Sequence, residues 1–84
     1  MTTDDRIRTV LAAHAKLREP AEGIAEGADL FQAGMTSHAS VNVMLALEDA
    51  FDLEFPDRML KRSVFESIAS IRAALEELDA EVAA

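Results

Sequence analysis

The chain contains no cysteine, and nowhere does it run to the 18 or so consecutive apolar residues that a membrane-spanning helix requires. The first absence fits a reducing compartment, because small secreted domains usually depend on disulfides. The second predicts that no segment spans a membrane. Residues 1–8 carry Asp4 and Asp5 and no apolar run, so no secretory signal is expected there either. Together these absences predict a cytoplasmic protein. Positive charge is missing from a long stretch. Positions 19 to 57 hold no Lys or Arg, against nine carboxylates: Glu19, Glu22, Glu26, Asp29, Glu48, Asp49, Asp52, Glu54 and Asp57. Basic residues are confined to positions 6–18 and 58–72, and the net charge is −8. Nucleic acid is therefore excluded as a partner, since phosphate binding needs a basic stripe. The natural complement is a protein with a basic surface. With only two histidines, His14 and His38, and no thiols, no metal site is expected. No alternating strand pattern, repeat or low-complexity segment is visible.

What is present is enough apolar material for one small core. Half of the 84 residues are apolar, so the chain reads as a single domain over residues 1–84. A domain of this size buries about 60–65% of the surface its unfolded chain exposes, which leaves little room for an enclosed active site. Ile7, Val10, Leu11 and Leu17 recur at helical spacing and predict a first helix over residues 3–18. Thr2 or Thr3 can cap it, and Asp4 and Asp5 suit the positive end of its dipole. His14 falls near the inward stripe of that helix and reads as a packed or rim residue. Residues 19–36 form a long loop punctuated by Pro20, Gly23 and Gly34, with Leu30 and Phe31 as its anchors. A second helix is expected from Ser37 to Phe51 or Leu53, capped by Thr36. Leu45 and Leu47 read as core, and Met44 as a partly exposed contact. A short helix or turn follows near residues 58–61. Ser63 and Glu66 have the spacing of a capping box that opens a last helix over residues 64–78, with Ile68, Ile71, Leu75 and Leu78 facing inward and frayed residues beyond it.

Ser37 is the residue of chemical interest. It lies directly ahead of a helical stretch, where a hydroxyl can cap, attack or serve as an attachment point. Nucleophilic catalysis is excluded by geometry. Ser37 and His38 are adjacent on a helix and point about 100° apart, so the imidazole does not reach the hydroxyl. No catalytic residue is assigned.

The run Asp29-Leu30-Phe31, Gly34-Met35-Thr36-Ser37, Val41, Met44 to Phe51 and Asp52 to Asp57 resembles the acyl carrier proteins. The likeness extends over most of the chain. It implies an all-α fold, a small four-helix bundle with three main helices, one short helix and a long first loop. It also implies that Ser37 carries 4′-phosphopantetheine, installed from coenzyme A by a phosphopantetheinyl transferase with Mg²⁺. The arm's thiol would hold an acyl or aminoacyl group as a thioester while the polypeptide itself catalyses nothing. The implied docking face comprises Thr36, His38, Val41, Met44, Glu48, Asp49 and Asp52, presented by a monomer to client enzymes with a basic surface.

Three features depart from the family's usual pattern. Asp-Ser-Leu is replaced by Thr36-Ser37-His38. Asn42 stands where an acid is common. Arg58, Lys61 and Arg62 bring positive charge to a region often acidic in fatty-acid carriers. In these respects the chain resembles carriers of a small bacterial group that are loaded with glycine or alanine by a stand-alone ligase, itself similar to the catalytic core of a seryl-tRNA synthetase. A fatty-acid carrier and an unmodified interaction module with the carrier fold are the alternatives.

Overall fold

The structure, a computed structural model, describes the backbone of residues 2–83 and the side chains of residues 2–79. Four helices follow one another: α1 (Thr3–His14), α2 (Ser37–Phe51), α3 (Arg62–Phe65) and α4 (Ile68–Ala83). Single 3-10 turns sit at Ala21–Gly23 and Asp57–Met59. Among the described residues there is no strand, so the expected small all-α bundle is what forms.

α1 opens with a reciprocal cap. The Asp5 N–H donates to the Thr2 hydroxyl at 3.1 Å, and the Thr2 N–H donates to the Asp5 carboxylate at 3.2 Å. The bond from the Thr2 backbone favours the ionised form and holds the Asp5 carboxyl below its ordinary value. The helix stops at His14, short of the expected Arg18. Ala15 closes it, and Lys16 turns into the left-handed region at φ 56°. Arg18 then leaves to join the loop, its N–H bonding the Ala33 carbonyl at 2.9 Å and its guanidinium the Gln32 carbonyl. His14 is accordingly exposed, not packed, and Ala15 takes the buried place beside Ile7 and Leu11.

The long loop is fastened at many points, which is how so long a segment keeps one shape. Leu30 is fully buried, and its N–H donates to the Glu66 carbonyl at 2.6 Å. The Asp29 carboxylate accepts from the N–H groups of Phe31 and Gln32, turning the chain just before Gly34. Gly34 has φ +122°, and a Cβ there would lie 3.3 Å from the Arg18 nitrogen, so only glycine fits without strain. Arg72 on α4 reaches Asp4 on α1 and Glu26 in the loop, both at 2.9 Å. These two carboxylates raise the affinity of the guanidinium for its proton.

α2 turns Ala39, Val43 and Leu47 to the core. Leu45 is not core, as its hydropathy alone suggests; it is 53% exposed. It lies two residues from both Val43 and Leu47, about 200° round the helix, and so faces away from them.

The last helix also begins later than its expected start. The Ser63–Glu66 spacing does not open it. Instead α3 ends at Phe65, whose ring packs edge-on against Phe55 with centroids 5.3 Å apart. The Glu66 carbonyl is taken by Leu30, and a serine pair further on starts α4. The Ser70 N–H donates to the Ser67 hydroxyl, and the Ser67 N–H to that of Ser70, each at 3.1 Å. Ile68, Ile71, Leu75 and Leu78 are buried as expected. The helix continues through Ala83, past the stop and frayed tail expected at Leu78; Ala84 lies outside the described residues. Ser67→Ala should therefore cost about 1 kcal/mol, the typical loss for an N-cap, while Ser63→Ala leaves stability nearly unchanged. Urea midpoints of the two variants check this; equal losses would contradict the later start.

Candidate functional site

The start of α2 is a rigid, open ledge. Thr36 is extended, at φ −84° and ψ 166°, and its hydroxyl accepts the Ala39 N–H at 3.0 Å. This is the cap expected from the sequence. The Ser40 N–H donates to the Thr36 carbonyl at 2.9 Å, and the Ser40 hydroxyl to the Ser37 carbonyl at 2.6 Å. The backbone around Ser37 is thus held from both sides. The Ser37 side chain is exposed, and among the described residues nothing hydrogen-bonds its hydroxyl. Thr36 and His38 flank it, also exposed. Free N–H groups and the positive end of the helix dipole favour an anion at this end of α2.

The proposed docking residues separate into groups. Val41 is 49% exposed and Met44 half-buried on the same side of α2 as Ser37. Asp49 is exposed near the C-terminal end, and Asp52 caps the helix in the left-handed region at φ 53°. Glu48 is engaged internally: its carboxylate accepts the Phe55 N–H at 2.8 Å and fixes the chain that leaves α2. Arg6 lies over the Phe51 ring at 4.1 Å and bonds the Ala50 carbonyl, tying α1 to the same end.

A groove of about 370 Å³ opens beside Ser37, with apolar walls from Phe31, Val41, Met44, Leu60 and Phe65. Lys61 and Arg62 line it as well, and the Arg62 guanidinium lies over the Phe31 ring at 4.0 Å. Sequence reasoning did not find this groove. Its signal on α2 is the seam Ser37, Ser40, Val41 and Met44, spaced three and four residues apart and about 110° round the helix from Ala39, Val43 and Leu47. Among the described residues no cluster of three or more His, Cys, Asp or Glu is placed to hold a metal, and no helix is long and apolar enough to cross a membrane.

A hydroxyl on an open ledge, with no base aimed at it and a groove alongside, suits a tethered group better than catalysis. Residues 5–78 match the family model described as the phosphopantetheine attachment site, and the chain belongs to that family, the acyl carrier proteins, whose cofactor is covalently held 4′-phosphopantetheine. Among its relatives is the aminoacyl carrier protein of Agrobacterium fabrum, 51% identical over 65 residues that cover 77% of this chain and 78% of that one. A solved structure of an engineered Bradyrhizobium japonicum glycine:carrier protein ligase with AMP and a carrier protein from Agrobacterium tumefaciens contains a similar chain. The TM-score is 0.86 at 44% identity, over 88% of this chain and 99% of the other. A chain in the structure of the Bradyrhizobium japonicum ligase with a glycylated carrier protein aligns with a TM-score of 0.72 at 25% identity, over 84% of this chain and 95% of that one.

Proposed function

We propose that Ser37 carries the phosphopantetheine arm and that the protein is an aminoacyl carrier, loaded with a glycyl or alanyl group by an amino acid:carrier protein ligase. The observation that carries this reading is the likeness to the Agrobacterium fabrum aminoacyl carrier protein, joined to an exposed, unengaged hydroxyl at Ser37. The residues present suit the arm. The ledge leaves room for the bulky group, the start of α2 favours its phosphate, and the groove offers apolar walls. When bound, the arm supplies a terminal thiol that holds the cargo as a thioester. In the attachment step the Ser37 oxygen bonds the pantetheine-bearing phosphorus of coenzyme A, the pyrophosphate P–O bond breaks, the serine proton passes to the transferase, and adenosine 3′,5′-bisphosphate leaves. The polypeptide is passive in the chemistry that follows and works as a single cytoplasmic domain and a monomer. Intact mass of the protein from its native cells, before and after thioester cleavage, tests the reading. A phosphopantetheinyl increment with a further, cleavable glycyl or alanyl increment supports it. A bare chain under all growth conditions ends it, and a fatty acyl increment replaces the cargo.

The docking face is Thr36, His38, Val41 and Met44 near the arm, with Asp49 and Asp52 as its charged edge and Glu48 as a structural neighbour. The combined reversal of Asp49 and Asp52 to lysine should weaken ligase binding. Exposed pairs are each worth less than about 1 kcal/mol, and the loss should shrink as salt rises. Titration calorimetry at two salt concentrations measures this, and unchanged binding removes the acidic edge from the interface.

A further inference from the structure

The groove beside Ser37 has a counter-charge for the anion that the arm would bring. Resting on the attachment reading above, we infer that Lys61 and Arg62 hold the arm's own phosphodiester, while Val41, Met44 and Leu60 take its dimethyl-bearing segment, so that the root of the arm lies against the protein.

Several observations converge. Ser37, Lys61 and Arg62 line one and the same groove, so a phosphodiester on the Ser37 oxygen starts life at its lip. Both cations are exposed, and among the described residues neither is paired with a carboxylate. Arg62 is stacked on Phe31 at 4.0 Å. Stacking occupies the face of a guanidinium and leaves its N–H edge available to an oxyanion, with less rotamer freedom to lose on binding. Beyond the phosphate, the arm's first carbon segment bears two methyl groups. Val41 and Leu60, 49% and 46% exposed, are apolar side chains still in water that such a segment would cover. The basic region that departs from fatty-acid carriers thus acquires a role. Partner carboxylates compete for the same cations, but the tethered phosphodiester is present at high effective concentration at all times. The same two charges repel the ammonium of an aminoacyl cargo, so the groove keeps the root of the arm and leaves its tip outside.

The test uses the full chain loaded with an isotope-labelled arm, in wild type and in a Lys61→Ser, Arg62→Ser double variant. Intact mass first establishes that each protein carries the arm. Nuclear Overhauser contacts are then recorded between the arm's paired methyl groups and the side chains of Val41, Met44 and Leu60. Contacts are expected in the wild type at low salt, and they should weaken several-fold in the double variant and, independently of any substitution, on raising the salt of the wild type. A loaded wild type whose arm shows free-pantetheine shifts and no contacts overturns the inference. So do contacts of undiminished strength in both the double variant and high salt, which would leave the cations for a partner. If the mass shows no arm on the wild type, the attachment reading is at fault and this inference falls with it.

Discussion

Ser37→Ala is expected to abolish the phosphopantetheinyl mass gain completely while leaving the melting temperature within experimental error of wild type. Both halves follow from the ledge. The Ser37 hydroxyl has no partner among the described residues, so its removal leaves no buried group unsatisfied. Alanine is also the best helix former, and the cap of α2 belongs to Thr36. The nearby serine cannot substitute as the acceptor, since Ser40 is half-buried and its hydroxyl is committed to the Ser37 carbonyl at 2.6 Å. The measurement is intact mass after co-expression with an active transferase, with a thermal melt on the same sample. A mass gain that survives the substitution moves the attachment to another residue. A melt lowered by many degrees would show that the hydroxyl is structural.

Leu30→Ala should have the largest effect on stability. The side chain, carried by the long loop, is fully buried in the hydrophobic core, and its removal leaves a cavity there. Substitutions of this type cost about 2–5 kcal/mol. A domain of this size starts near the low end of the usual range, about 5 kcal/mol, so the variant should be substantially unfolded at physiological temperature. Urea denaturation quantifies the loss, and a cost below about 1 kcal/mol would mean that the loop is held mainly by its polar fastenings.

How far the sequence could be read depends on the residue. α2 was legible at its start, where Thr36 is a local cap, and to within two residues at its end, where Asp52 turns into the left-handed region. The inward faces of α1 and α4 were legible from helical spacing. The misplaced boundaries have distant causes. α1 stops at His14 because Arg18 is drawn away to Ala33, a partner that local periodicity does not reveal. α4 begins at Ile68 because the Glu66 carbonyl is claimed by Leu30; of the two candidate caps, Ser63–Glu66 and Ser67–Ser70, only the second forms. Leu45 shows the limit of hydropathy without phase. Its side chain suits a core, but its angle on α2 does not. At the candidate site, Ser37 stands out by position alone. Glu48 and Asp49 look equivalent on paper, yet one carboxylate closes the chain at Phe55 and the other faces solvent. The groove was not legible, because Phe31, Leu60 and Phe65 reach it from three segments.

The Arg72 clasp has a consequence for when the molecule becomes usable. Asp4 and Arg72 are 68 positions apart in the chain, and Glu26 and Arg72 are 46 apart. Synthesis proceeds from the N-terminus, so a nascent polypeptide has long since exposed Ser37, the proposed acceptor, when the residue that secures the preceding loop is added. Contacts of such separation form late, after the entropy of closing the intervening chain has been overcome. Ribosome-arrested chains that end before α4 should therefore be poor transferase substrates, and the arm should be added to finished polypeptides; equal labelling of arrested and released chains would show that the ledge assembles without its far fastening.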